Sequence, residues 1–118
     1  MEYKDLDVWK ESRNLVKLIY QVTKEFPVSE NYNLTSQINR SAISVPSNIA
    51  EGCGRNGVKD SLQFFYIARG SIFELETQLI IAHRTGLITA KRVKELEEDL
   101  SELQRMINGL KASLAPLT

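Results

Sequence analysis

The residues best suited to covalent or metal chemistry in this 118-residue sequence are its one histidine, His83, and its one cysteine, Cys53. Together they cannot complete the tetrahedral ligand set of a zinc site, and a ferritin-like di-iron site needs two Glu-x-x-His pairs. Cys53 lies just past the predicted end of a helix, where the helix dipole disfavours a thiolate. We therefore predict that the protein is not an enzyme and holds no metal or cofactor.

A different kind of polar pattern runs through residues 40–55, RSAISVPSNIAEGCGR. Its apolar residues recur at helical spacing, which predicts a helix with one core-facing stripe. The other face carries small hydroxyls, an amide and two charges, which suit close polar contact better than a solvated helix face because Ser and Asn are mediocre helix formers. Pro46 inside this helix predicts a kink. We name this face the polar stripe and assign it Arg40, Ser44, Asn48 and Glu51, with Glu74 joining from the next helix.

Glu74 enters this stripe through the expected packing of the second and third helices. If the two pack antiparallel around the glycine-rich turn that follows Cys53, Arg40 lies level with residues 71–74. Arg40 and Glu74 would then form an ion pair; alternatively, both charges face water. In the same register Gly70 and Ser71 allow a close approach of the two backbones.

The elements that position these residues are four helices. The first begins near Asp5 or Asp7 and ends before Pro27. The second begins after Asn33, a candidate N-cap, and ends near Glu51. The remaining two are expected over residues 60–85, closed by Gly86 as C′, and from Thr89 onward. The fourth carries an unbroken heptad seam: Val93, Leu96, Leu100, Leu103, Ile107, Leu110 and Leu114. The sequence thus predicts one all-α domain over residues 1–118, an up-down-up-down antiparallel four-helix bundle.

The third helix is apolar around most of its circumference. One face continues the core, and a second strip lies roughly 100° away by the helical period. A helix of this kind is normally buried on more than one side, whereas scattered surface hydrophobes would be single residues. We therefore predict an interface between copies of the chain, formed by Leu62, Tyr66, Phe73 and Ile80.

The charge balance excludes a strongly basic nucleic-acid-binding protein, because Lys plus Arg and Asp plus Glu number 15 each. Residues 31–94 nevertheless hold eight basic and four acidic side chains. The candidate contacts to RNA or DNA are Arg55 and Lys59 at the glycine turn, followed by Arg69 and Arg84. No apolar run reaches the ~20 residues that span a bilayer, and the N-terminus lacks a signal-peptide core. With a single cysteine, these features predict a cytoplasmic protein with no membrane partner.

Several groups of residues form a pattern that resembles the 23S rRNA intervening-sequence protein family: Asp5-Leu6 with Val8-Trp9, Phe26-Pro27 with Glu30, Leu34 and Gln37 with Arg40, S-x-P-x-NIAEG over residues 44–52, and A-x-GS-x-x-EL over residues 68–75. The resemblance covers nearly the whole chain. It implies a short antiparallel four-helix bundle assembled as a ring-like homopentamer. It also implies that the family's characteristic polar positions fall on Arg40, Ser44, Asn48, Glu51, Arg55 and Glu74.

A related bundle is the accessory variability protein of diversity-generating retroelements. Similarity to that protein implies a basic pentamer that binds nucleic acid and a reverse transcriptase. The present chain departs from that relative because its net charge is zero. Two functions therefore stay open. One is an oligomeric nucleic-acid-binding or ribosome-associated factor, and the other is a scaffold that recruits a protein partner through the polar stripe. They differ in whether the basic residues of the middle region converge on one face.

Overall fold

The computed structural model describes residues 2–114 and 116. Two short 3₁₀ turns, Tyr3–Asp5 and Val28–Glu30, precede the first two of four long helices. The helices are α1 (Asp7–Thr23), α2 (Leu34–Cys53), α3 (Val58–Arg84) and α4 (Ala90–Leu114). No strand occurs in the described part of the chain, which confirms the all-α class. None of the described helices combines the length and apolar character that crossing a membrane requires.

The turn between α3 and α4 has the hydrogen bonds that its sequence predicts. Gly86 adopts a φ of +80°, the left-handed conformation that closes many helices. The Gly86 N–H donates to the carbonyl of His83 at 3.0 Å, and the Leu87 N–H donates to the carbonyl of Ala82 at 2.8 Å. Three residues later, the Thr89 hydroxyl accepts a hydrogen bond from the Arg92 N–H at 3.2 Å and caps α4. The hydrogen bonds of this turn therefore join residues close in sequence, and Leu87 and Ile88 also pack against the core.

The second helix differs at both ends from what its sequence predicts. Asn33 occupies the N-cap position, but its side chain makes no capping bond. Its Nδ2 donates instead to the Ser29 carbonyl in the preceding turn, at 3.3 Å. The helix is continuous past Pro46 and ends at Cys53 rather than near Glu51. Cys53 is 8% exposed, so packing of its side chain into the core extends the helix by half a turn.

The four helices pack around one core in which each touches two neighbours. The pairs in contact are α1 with α2, α2 with α3, α3 with α4, and α1 with α4. Across the diagonals, no described residues of α1 and α3, or of α2 and α4, bring their Cα atoms within 8 Å. The core between them is formed by fully buried apolar side chains, among them Leu15, Ile19, Ile38, Ile49, Phe65, Leu79, Leu100 and Ile107. In cross-section the helices thus form a square bundle, with α3 at the corner opposite α1.

Contacts between α2 and α3 show how these two helices align. Ser41 bonds to Glu74 and Ser44 bonds to Ser71, so residue numbers rise along one helix as they fall along the other. Nearer the connecting turn, Gly52 is buried directly against the ring of Phe65. This alignment is the one expected for Arg40 and residues 71–74, and it fixes which side chains meet along the two helices.

Candidate interaction surface

A row of polar side chains lies between α2 and α3, and we call it the polar seam: Ser41, Ser44, Asn48, Ser71 and Glu74. The hydroxyls of Ser44 and Ser71 are 2.7 Å apart. Asn48 Nδ2 donates to the Ser44 carbonyl at 2.8 Å and to its hydroxyl at 2.9 Å. All three residues are partly buried. Small hydroxyl groups thus let the two backbones approach while their polar atoms stay hydrogen-bonded.

The ion pair considered for Arg40 and Glu74 does not form. The buried hydroxyl of Ser41 donates to Glu74 Oε1 at 2.5 Å, because Ser41 lies nearer the α2–α3 contact than Arg40 does. Arg40 is exposed, and no carboxylate of the described residues lies within ion-pairing distance of it. Ser41 was missed in the sequence, although its spacing of three and seven residues from Ser44 and Asn48 marks it as part of the same face.

The last member of the predicted stripe, Glu51, faces the end of the bundle and not α3. Its carboxylate forms an ion pair with Arg55, one turn later in the chain. The Arg55 guanidinium also stacks over the ring of Phe64, 4.5 Å from its centroid. Of the predicted stripe, Ser44, Asn48 and Glu74 therefore belong to the hydrogen-bonded polar seam. Arg40 and Glu51 are exposed outside it.

The structure does not bring the four candidate nucleic-acid contacts together. Arg55 and Lys59 are exposed at the turn before α3, and Arg84 is exposed at the other end of that helix. Lys59 and Arg84 are roughly 38 Å apart at 1.5 Å per helical residue. Arg69 lies between them and is partly buried, with its guanidinium 5.6 Å from the ring centroid of Phe73. No single basic face of one chain joins these residues.

The predicted interface strip is exposed along most of its length. Tyr66, Phe73 and Ile80 are 53%, 49% and 45% exposed, whereas Leu62 is partly buried against the core. Further apolar side chains extend this surface on both sides, namely Ile67 and Ile81 on α3 and Ile43 on α2. The extension to Ile43 was missed, because it depends on how α2 is rotated against α3.

Between α3 and α4, two exposed aromatic rings make cation–π contacts with basic side chains. Lys111 Nζ lies 4.3 Å from the ring centroid of Tyr66. Phe73, whose ring contacts Arg69, lies about two turns further along α3. Burial, and then the positive charge of Arg69, lower the pKa of Lys111. The Nε of Arg69 is itself buried and has no acceptor. The apolar seam of α4 gives no sign of the contact with Tyr66, because Lys111 meets a ring on a different helix.

Among the described residues, no three His, Cys, Asp or Glu side chains are grouped in a way that could hold a metal ion. Burial raises the pKa of the Cys53 thiol. His83 is exposed, and its Nδ1 lies 3.1 Å from the Ile88 carbonyl across the α3–α4 turn. Cys53 therefore lies in the hydrophobic core, and His83 lies against the α3–α4 turn.

Residues 4–109 match the family model of the 23S rRNA-intervening sequence protein. The chain belongs to this family. A crystal structure of an S23 ribosomal protein family member from Bacteroides thetaiotaomicron VPI-5482, described as a protein of unknown function, has a similar fold. The TM-score is 0.79 at 25% sequence identity, and the match covers 88% of this chain and 97% of that one. None of the curated proteins matches this sequence. The intervening-sequence family and the four-helix fold expected from the sequence are thereby confirmed.

Proposed function

We propose that this intervening-sequence family protein is a non-enzymatic, cytoplasmic subunit of a homo-oligomer. Each subunit would be an up-down-up-down antiparallel bundle, and the family resemblance implies five copies. The exposed apolar surface of α3 supports association. Tyr66, Phe73 and Ile80 are each about half exposed along one side of this helix. A continuous apolar surface of this kind is typical of a contact between proteins.

The contrast between α1 and α3 strengthens this proposal. On α1, the buried residues fall on one side, and the opposite side is rich in charged residues such as Lys10, Glu11, Arg13 and Lys17. That pattern is typical of a helix with one side in water. On α3, the side away from the core is apolar over much of its length, so a second burial partner accounts for its composition.

A substitution at the centre of this surface tests the association. Phe73→Asp should weaken association by more than about thirtyfold, because it places an unpaired charge in a desolvated contact. Tyr32→Asp is the matched control, since Tyr32 is an aromatic residue 96% exposed in the α1–α2 connection. Sedimentation velocity across a concentration series measures both variants. Equal association of both variants would exclude the α3 surface as the interface.

Nucleic-acid binding is the second candidate function, and the end of the bundle at the glycine turn favours it. Arg55 and Lys59 are both exposed there, and Arg55 stacks over Phe64. A ring would repeat this cation–aromatic pair in every copy, and each phosphate contact releases a counterion, so the contributions add. The resemblance to the accessory variability protein points in the same direction, whereas the zero net charge argues for weak, salt-sensitive binding.

A titration with single-stranded and duplex RNA at ~50 mM and at physiological salt tests this second function. Lys59→Glu should weaken binding, whereas Arg84→Glu, the same change at the other end of α3, should have a smaller effect. No binding at the lower salt concentration would favour the alternative of a scaffold for a protein partner.

Arg40 and Glu51 are the stripe residues outside the polar seam that are exposed to such a partner. Purification of the tagged protein from its own cell, with and without nuclease, separates the two functions.

A further inference from the structure

Two grooves flank Phe73 on the exposed side of α3. One lies between α2 and α3 and is lined by Arg40, Glu74 and Gln78, besides Phe73 itself. The other lies between α3 and α4, where Phe73 is joined by Glu76 and Gln104. Phe73 therefore forms a ridge at the α3 corner of the square bundle. The two grooves are adjacent sides of that square.

Each groove contains polar groups that the chain itself leaves without partners. In the α2–α3 groove, Gln78 is 8% exposed, and its Oε1 accepts no hydrogen bond. In the α3–α4 groove, Gln104 Oε1 is buried without a donor. Arg69, which lies near Lys111 of α4, has a buried Nε without an acceptor. Buried polar atoms normally find partners, so these three atoms are hydrogen-bonding capacity at the α3 corner that the chain itself does not use.

The charges in the two grooves are complementary. The α2–α3 groove is lined by the cation Arg40 and the carboxylate Glu74. On the α3–α4 side the carboxylate Glu76 lines the groove, and the cation Arg69 lies next to it, 5.6 Å from the ring centroid of Phe73. None of these four residues takes part in the ion pairs of the described chain. A second copy of the chain would supply the opposite charges that each groove lacks.

We propose that the α2–α3 groove of one copy docks onto the α3–α4 groove of the next. The bond from Ser41 to Glu74 places the neighbouring Arg40 at the level of Glu74 along the bundle, and Glu76 lies about half a turn further along α3. Arg40 thus faces Glu76 of the second copy. Glu74 faces Arg69 of that copy across an axial offset of roughly 7.5 Å at 1.5 Å per residue, which the long arginine side chain spans.

This docking mode rests on the homo-oligomer proposed above and specifies its geometry. The contact is heterologous, since different sides of the two copies meet, and such contacts close into rings when the rotation per copy allows. Adjacent sides of a square bundle meet near a right angle, which closes a ring of about four copies, and a wedge narrowed to ~72° closes a ring of five. The α3 corner then points to the ring axis and α1 points outward, in agreement with their apolar and charged surfaces.

Complementation between two charge variants tests this contact. Arg69→Glu and Glu74→Arg should each weaken self-association at least about tenfold, because like charges then face each other. A mixture of the two variants should associate again into pairs and larger species, because every contact between unlike copies pairs Glu with Arg. A closed ring with an odd number of copies would keep one contact between like copies, so recovery of association, and not of the wild-type particle mass, is the expected result. Lys10→Glu on the outward side of α1 is the control and should not change association. Sedimentation velocity of the single variants and of the mixture gives the comparison.

A second pair keeps the test independent of any folding defect in one variant. Arg40→Glu and Glu76→Arg should weaken association separately and restore it when mixed, and circular dichroism checks that each variant remains helical. If the wild-type protein is a monomer, the proposed homo-oligomer itself is wrong. If the wild-type protein is an oligomer but neither mixture regains association beyond its separate variants, the oligomer stands and this docking mode is wrong.

Discussion

Gly52 of α2 and the ring of Phe65 of α3 are in direct contact. A Cβ atom added at Gly52 would lie 2.6 Å from Phe65 Cε1, 2.9 Å from Cδ1 and 3.0 Å from the Ser61 carbonyl oxygen. Phe65 is fully buried, so its ring cannot move aside without displacing the core. Glycine is required here by the packing of two helices and not by an unusual backbone conformation.

Gly52→Ala should therefore destabilise the fold by about 1–3 kcal/mol, the usual cost of overpacking a core. Gly54→Ala is a matched control two residues later. A Cβ there meets only the Glu51 and Ala50 carbonyl oxygens, at 3.6 and 3.7 Å, and its φ of −86° suits alanine. Chemical denaturation of both variants measures the difference. Equal stability of the two variants would show that the Phe65 ring moves away from residue 52 at little cost in free energy.

Gly86 and Gly109 should respond in opposite directions to substitution by alanine. Gly86→Ala should cost about 1 kcal/mol, because its φ of +80° is strained for a residue with a Cβ. Gly109→Ala should stabilise the fold by about 0.5–1 kcal/mol, since it lies within α4 with open space around it and alanine is the better helix former. Thermal unfolding of both variants gives the sign of each change, and a stabilised Gly86→Ala would contradict this account of the α3–α4 turn.

Ser41→Ala should reduce the free energy of unfolding by about 1 kcal/mol through loss of the hydrogen bond to Glu74. Glu74 is exposed, so water hydrates its carboxylate in the variant and keeps the loss modest. Ser47→Ala on the exposed side of the same helix is the control, and it should be neutral or slightly stabilising because alanine favours the helix. If the two variants lose stability equally, the Ser41–Glu74 bond contributes nothing.

The Cys53 thiol should react slowly with a thiol reagent in the folded protein. Burial raises its pKa, so at a given pH near 8 less thiolate is present than in the unfolded chain, whose thiol titrates near ~8.5. In the native state the Cys53 thiol therefore keeps its proton to a higher pH than in the unfolded chain. The stability that this contributes is lost as the pH rises from the unfolded pKa through the raised folded pKa. Reaction rates with and without denaturant test this, and equal rates would contradict the buried position.

Much of the fold follows from local sequence, because helix periodicity, the glycine at position 86 and the Thr89 cap act within a few residues of themselves. The position of Asn33 did not settle its role, since its side chain can bond either to its own helix or to the Ser29 carbonyl. Some helix ends are set by packing, such as the end of α2 at Cys53. Such an end cannot be predicted from local sequence, because it depends on the rest of the core.

The candidate surface was less predictable because it depends on how the helices are rotated against one another. The antiparallel register placed Arg40 at the correct level along α3, yet Ser41, one residue away, takes the carboxylate of Glu74. The contact of Lys111 with Tyr66 joins residues far apart in sequence. No periodicity within one helix reveals such a contact.

The mass of the wild-type protein in solution tests the central claim most directly. Sedimentation equilibrium at micromolar concentration, confirmed by native mass spectrometry, reports the number of chains per particle. An oligomer that buries the α3 ridge of Tyr66, Phe73 and Ile80 is expected, with five copies as the family resemblance implies. A single species with the mass of one chain across that concentration range would contradict the account.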